Sequence, residues 1–216
     1  MANTLAPSVA GPGTLAELAW PAGAGRGAKI LRGVALSVLG ACILTLSAKV
    51  NVPGPVPMTL QTLAVMVLGA TLGLRLSVAA VVIYIAQGAI GLPVFANTPP
   101  LAAGLPYLMG PTGGFLLGFA VAAGLVGYAA DRGLMRRPVL FGLVLAAANV
   151  VLLAIGCVWL ALAAKVASGN GIGFARAFTV GVQPFLLGNA LKLLLAATAL
   201  PLVFDLMNRA LGRIKA

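Results

Sequence analysis

Six apolar runs, separated by turns rich in Pro, Gly or basic residues, decide what this chain can become. They span about Ile30–Ala48, Met58–Gly73, Leu76–Gly91, Gly113–Ala130, Val139–Ala164 and Pro184–Leu206. A helix needs roughly 20 apolar residues to cross a bilayer, and shorter runs are tolerated where neighbouring helices shield them. Charge is correspondingly scarce: 8% of the 216 residues are charged, against about 25% in an ordinary soluble domain. The pattern predicts an all-α integral membrane protein with six transmembrane helices.

The basic residues set its orientation. With the N-terminus in the cytoplasm, inside segments carry Arg26, Lys29, Arg32, Arg75, Arg132, Arg136, Arg137, Arg209, Arg213 and Lys215, ten of fourteen basic residues. Outside segments carry Lys49, Lys165 and Arg176, and Lys192 alone falls within a run. This bias predicts that both termini are cytoplasmic. It also accounts for the net charge of +11 without nucleic acid, because the charges sit in juxtamembrane turns. Residues 1–28, rich in Ala, Pro and Gly, have no basic start followed by an apolar run. They are expected to form a flexible cytoplasmic tail rather than a signal peptide. The six-helix domain is then 29–208, with a cytoplasmic tail at 209–216.

The inventory argues against an enzyme. There is no histidine, and Glu17, Asp131 and Asp205 are the only acids. An imidazole base, a His-containing metal site and a two-carboxylate site are therefore not expected. No GxxxxGK[ST] loop is present to cradle nucleotide phosphates. Cys42 and Cys157 lie inside apolar runs and read as packed thiols. No metal or cofactor is expected.

Three features remain. Gly33, Ser37, Ala41 and Thr45 recur every four residues in the first run. Such a stripe lets membrane helices approach closely, either within the chain or against a partner. Lys192 stands in an apolar helix with no acid within a turn. Burying such a charge costs about 2.5–3.5 kcal/mol on insertion scales. Its amine either snorkels to the interface or meets an anion. The Pro- and Gly-rich outer segments are either plain surface loops or a roof over a cavity, since irregular backbone near membrane depth must be buried by protein or line a cavity.

Four stretches carry a resemblance: VNVPGPVPMTLQTLAVMVLGA (Val50–Ala70), GLPVFA (Gly91–Ala96), GPTGGFLLGF (Gly110–Phe119) and PFLLGNALKLLLA (Pro184–Ala196). Together they resemble the BioY family, the biotin-binding membrane (S) subunits of energy-coupling-factor transporters, over roughly Ile30–Leu206. The resemblance implies an S-component-like bundle in the bacterial plasma or inner membrane. It implies that the chain captures extracellular biotin, while a transmembrane (T) subunit and ATP-binding cassette subunits supply the energy. An S subunit for another vitamin, or a membrane scaffold without a small ligand, are the alternatives.

The resemblance also implies a site. Lys192 would meet the biotin carboxylate. Relatives are expected to carry an acid three residues before that lysine, where this chain has Asn189. Asn189 suits either the ureido ring or the carboxylate. Gln61, Asn97 and Thr112 would complete the polar lining, with Phe95 and Tyr107 stacking on the bicyclic ring. The glycines of GPTGG would serve either ligand approach or helix packing. The small-residue stripe of Gly33, Ser37, Ala41 and Thr45 would dock on the T subunit.

Overall fold

The structure is a computed structural model that describes residues 14–21, 23, 25–52, 54, 56–167 and 169–211. Of the expected tails, 1–13, 22, 24 and 212–216 lie outside the described residues. The apolar runs become helices because a helix satisfies its own backbone polar groups where lipid cannot. Among the described residues, five are long and apolar enough to cross a membrane: α2 (Arg26–Lys49), α3 (Gln61–Ala89), α5 (Gly113–Asp131), α6 (Pro138–Leu162) and α8 (Phe185–Ala210). A short helix α1 (Leu15–Ala19) precedes them, and short helices α4 (Leu105–Met109) and α7 (Phe174–Gly181) lie between them. So do two hairpins, β1 (Asn51–Val52) with β2 (Met58–Thr59), and β3 (Lys165–Val166) with β4 (Gly169–Asn170).

The second and third runs meet in α3, which is broken at Gly73 (φ 76°, ψ −179°). A hydrogen bond of 2.8 Å joins Gln61 Nε2 to the Tyr84 hydroxyl. In a straight helix these residues would stand about 34 Å apart at 1.5 Å per residue, so the two halves of α3 fold back on each other. The break depends on glycine for two reasons. Its φ lies in the left-handed region, and the Asp131 carboxylate occupies the space a Cβ would take. That carboxylate accepts from the Leu74 N–H at 3.0 Å, satisfying a donor that opens the second half of α3.

Helix α5 is central. Of its most apolar stretch 67% is buried, against 22% for α2 and for α8, so those two flank the bundle. Phe119, Ala122, Ala123 and Val126 of α5 join Leu145 and Leu152 of α6 in the core. On α2 the small-residue stripe turns inward. Ser37 and Ala41 are buried, and the Ser37 hydroxyl donates to Leu76 O at 3.4 Å. Gly33 faces Leu76, and Thr45 bonds its own helix at Ala41 O, 3.0 Å. Val34, Val38, Leu39 and Leu46 occupy the exposed face instead. Two of the residues expected to dock a partner, Gly33 and Ser37, therefore meet Leu76 of α3, where small size permits close approach. Part of the expected N-terminal tail is also packed: Leu15 and Leu18 of α1 are buried, and the Arg32 guanidinium holds the segment through Trp20 O (2.6 Å) and Ala16 O (2.8 Å).

Gly73→Ala is expected to lower the thermal unfolding temperature measured in detergent. The backbone at Gly73, a region essentially restricted to glycine, costs an L-residue about 1–3 kcal/mol, and the added methyl displaces Asp131. Gly133→Ala is the comparison, since Gly133 also has positive φ (72°) but open space around the added methyl. Equal losses in both variants would show that the Asp131 contact contributes nothing.

Candidate functional site

A small cavity lies between both halves of α3, α5, α6 and the loop segments above them, with about 40 Å³ of accessible room. Small-molecule cavities commonly measure about 300–1,000 Å³, so a ligand of that size has to widen this one. Phe115, Phe119 and Leu152 make its apolar side. Its polar side is Thr59, Gln61, Thr62, Tyr84, Tyr107 and Thr112. The roof over it includes Val56 and Pro57, from the segment joining β1 to β2, and Ala96. The Pro- and Gly-rich segments thus enclose a cavity.

The polar side is ordered by its own bonds. Gln61 is buried; its Nε2 donates to Tyr84 and its Oε1 accepts from Thr59 Oγ1 at 3.3 Å. Tyr107 donates its hydroxyl to Ala96 O at 2.9 Å. Burial pushes that phenol above its ordinary pKa, with the Thr112 hydroxyl offsetting part of the shift, so it stays a neutral donor near neutral pH. Phe95 is fully buried and backs the wall. Its ring stacks on Tyr107 (4.6 Å, 18°) and meets Tyr84 edge-on (5.4 Å, 83°). Thr112 stands at the start of α5 and lines the cavity. The GPTGG glycines serve packing: a Cβ on Gly114 would collide with the Trp159 side chain of α6.

Lys192 and Asn189 lie behind this wall rather than on it. Both line an adjoining open groove that shares Thr59 and Phe185 with the cavity. The Lys192 ammonium donates to Thr59 O (2.6 Å) and Thr62 Oγ1 (3.1 Å), with Asn189 Oδ1 at 3.5 Å. Asn189 is buried; its Oδ1 accepts from Thr62 Oγ1 at 3.2 Å and its Nδ2 donates to Asn149 Oδ1 at 2.9 Å. The lysine thus bonds to two residues that line the cavity. Asn97 stands apart, in left-handed backbone (φ 57°), where it lines two outer grooves and not the cavity.

Three further participants were not singled out from sequence. Tyr84 completes the polar side, Asn149 partners Asn189, and Lys49 binds the loop that carries Phe95. Asn149 carried a readable signal, being the only amide in the fifth apolar run. A polar side chain within a membrane helix commonly faces the bundle interior and finds a partner there.

Comparisons with known proteins identify the family and the fold. A family model described as the BioY family matches residues 19–209. A probable biotin transporter BioY of Pyrococcus horikoshii is 36% identical over 168 residues, covering 77% of this chain and 90% of that relative. The biotin transporter BioY of Rhizobium etli is 37% identical over 150 residues, covering 66% of this chain and 75% of the relative. A crystal structure of the S-component for biotin from an ECF-type ABC transporter has the same fold, with a TM-score of 0.70 at 18% identity, over 84% of this chain and 95% of that one. Matched by the family model across nearly all its apolar helices, this multi-pass membrane protein belongs to the BioY family.

Proposed function

We propose that this chain is a biotin-binding S subunit that captures extracellular biotin and passes it inward with an ATP-driven energy-coupling module. The observation that carries the reading is the roofed cavity, with an apolar side and a polar side, backed by a lysine bonded to two of its lining residues. Biotin combines an apolar bicycle and chain with a ureido ring and a carboxylate. Phe115, Phe119 and Leu152 suit the apolar parts, and Gln61, Thr112 and Tyr107 suit the ureido ring. The Lys192 ammonium receives the carboxylate in place of, or beside, the Thr59 carbonyl that now holds it. Phe95 supports Tyr107 as the stacking ring, and Asn97 guards the outer rim. The chain holds no nucleotide loop of its own, so a T subunit and ATP-binding cassette subunits drive release.

The topology proposed with this function is six crossings, the two halves of α3 counting separately, with both termini in the cytoplasm. Leu101 is exposed on the roof side and Arg137 precedes α6 at the opposite end. In a background lacking Cys42 and Cys157, an impermeant thiol reagent should label Leu101→Cys only from outside and Arg137→Cys only from inside. Labelling of both from one side would rule out this topology.

Saturable biotin binding by the purified chain, displaced by desthiobiotin and not by thiamin, is the expected result. No saturable binding would favour a scaffold, and displacement by thiamin a different vitamin. Lys192→Met should weaken biotin roughly 10- to 150-fold, since hydrogen bonds to charged groups contribute about 1.5–3 kcal/mol. Biotin amide should lose little from the same change. Comparable losses for both ligands would end the carboxylate assignment.

A further inference from the structure

Lys49, the last residue of α2, makes more polar contacts than any other cation among the described residues, and none is to an acid. Its ammonium donates to Pro93 O (2.6 Å), Phe95 O (2.9 Å) and Thr98 O (2.5 Å), and lies 3.3 Å from Thr98 Oγ1. A lysine at a helix end commonly faces the carbonyls of its own last turn or reaches into water. This one instead ties α2 to a loop 44 to 49 residues further along the chain. An ammonium has three N–H donors, so its hydrogen-bonding capacity is used up by that loop.

The tied loop is the one that builds the wall of the cavity. Between Pro93 and Thr98 stand Phe95 and Ala96. Phe95 lies against both Tyr84 and Tyr107, and Ala96 O receives the Tyr107 hydroxyl. Tyr84, Tyr107 and Ala96 all line the cavity. The Thr98 hydroxyl donates to Phe95 O at 2.7 Å, closing the same turn on itself. On the other side of Lys49, Asn51 begins the β1–β2 hairpin that carries Thr59 into the cavity wall. One side chain therefore joins the two outer segments that enclose the cavity.

We propose that Lys49 is a positioning residue for ligand capture: it touches no ligand, but its carbonyl contacts hold the Pro93–Thr98 turn, and through Phe95 they set the two tyrosines against the bound molecule. Releasing the turn frees Phe95 to leave its place between them, which opens the wall on the outer side. The consequence falls on how long a ligand stays, because the wall must open for it to leave. The proposal rests on the reading of the chain as a biotin-binding subunit.

The test compares the unmutated full chain with Lys49→Met, Lys49→Gln and Lys49→Arg in nanodiscs. Hydrogen–deuterium exchange is followed over residues 92–104 without ligand, and biotin dissociation is measured separately. In Lys49→Met, exchange in the loop and biotin dissociation should each speed up on the order of tenfold, the scale for losing hydrogen bonds to a charged donor. Protection in α5 and α6 and the association rate should change little. Lys49→Gln keeps one donor group and should fall between, while Lys49→Arg should restore most of both. Unchanged loop exchange in Lys49→Met would overturn the tie. A loosened loop with unchanged dissociation would overturn its role in capture. Loss of protection throughout α5 and α6 in both Lys49→Met and Lys49→Gln would overturn positioning in favour of a purely structural role. Absence of biotin binding by the unmutated chain would defeat the biotin reading itself, while the exchange comparison would still decide whether Lys49 holds the loop.

Discussion

A bilayer core offers no hydrogen bonds, so every donor and acceptor at its depth needs a partner from the protein. The turns and polar residues of this chain follow from that constraint. Breaking α3 at Gly73 leaves N–H groups without helical partners, and the Asp131 carboxylate accepts from one of them. Folding α3 back brings Gln61 to Tyr84, so a buried amide meets a buried phenol. Ser77 is fully buried and its hydroxyl reaches Ala123 O on α5 at 3.2 Å. The cavity exists because these pairings bring α3 and α5 together while leaving bulky rings, Phe115 and Phe119, to hold space between α5 and α6.

The cations obey the same constraint with almost no acids to help. Asp131 serves the α3 break, Asp205 pairs with Arg209 on an exposed turn at 2.8 Å, and Glu17 belongs to α1. Lys49 and Lys192 therefore lean on carbonyl and hydroxyl oxygens alone. They differ in how fully they are satisfied. Lys49 has three carbonyl contacts of 2.9 Å or less. Lys192 has one carbonyl at 2.6 Å, one hydroxyl at 3.1 Å and an amide oxygen at the 3.5 Å limit. An ammonium whose contacts include a long, easily exchanged one is the better partner for a carboxylate, and one held by three short carbonyl contacts is the better tie. Two lysines near the same end of one bundle thus suit different tasks.

Much of this was legible in the sequence, for physical reasons that also mark where legibility stopped. Long apolar runs identify helices without reference to neighbours, and five apolar helices stand where runs were expected. Gly73 ended the second run and proved to be the break within α3. Met58 and Thr59, assigned to that run, instead close a hairpin on Asn51 and Val52, because the Pro-rich turn before them must pair its backbone somewhere. The small stripe of Ser37 and Ala41 showed close packing but not its direction, since periodicity fixes a face and not its neighbour. Lys49 looked like one more outside charge, because a bond to carbonyls 44 to 49 residues away leaves no mark in local sequence. Tyr84 was hidden likewise, its partner Gln61 being 23 residues distant.

The amide at position 189 shows how one donor-only group orders a whole cluster. An ammonium has no acceptor, so the Asn189 atom turned toward Lys192 must be Oδ1. The same oxygen accepts from Thr62, whose own oxygen is already an acceptor for Lys192. Nδ2 must then point the other way, and it meets Asn149 Oδ1. Orientation is thus passed from Lys192 through Asn189 to Asn149, across α8 and α6. An aspartate at position 189 would present oxygen in both directions. Asn149 would accommodate it by a half-turn of its own amide, offering Nδ2 in place of Oδ1, with no change of backbone. What would change is the charge. Aspartate would neutralise Lys192 inside its own helix, whereas asparagine leaves the ammonium unneutralised, and an arriving anion is then the first full negative charge it meets.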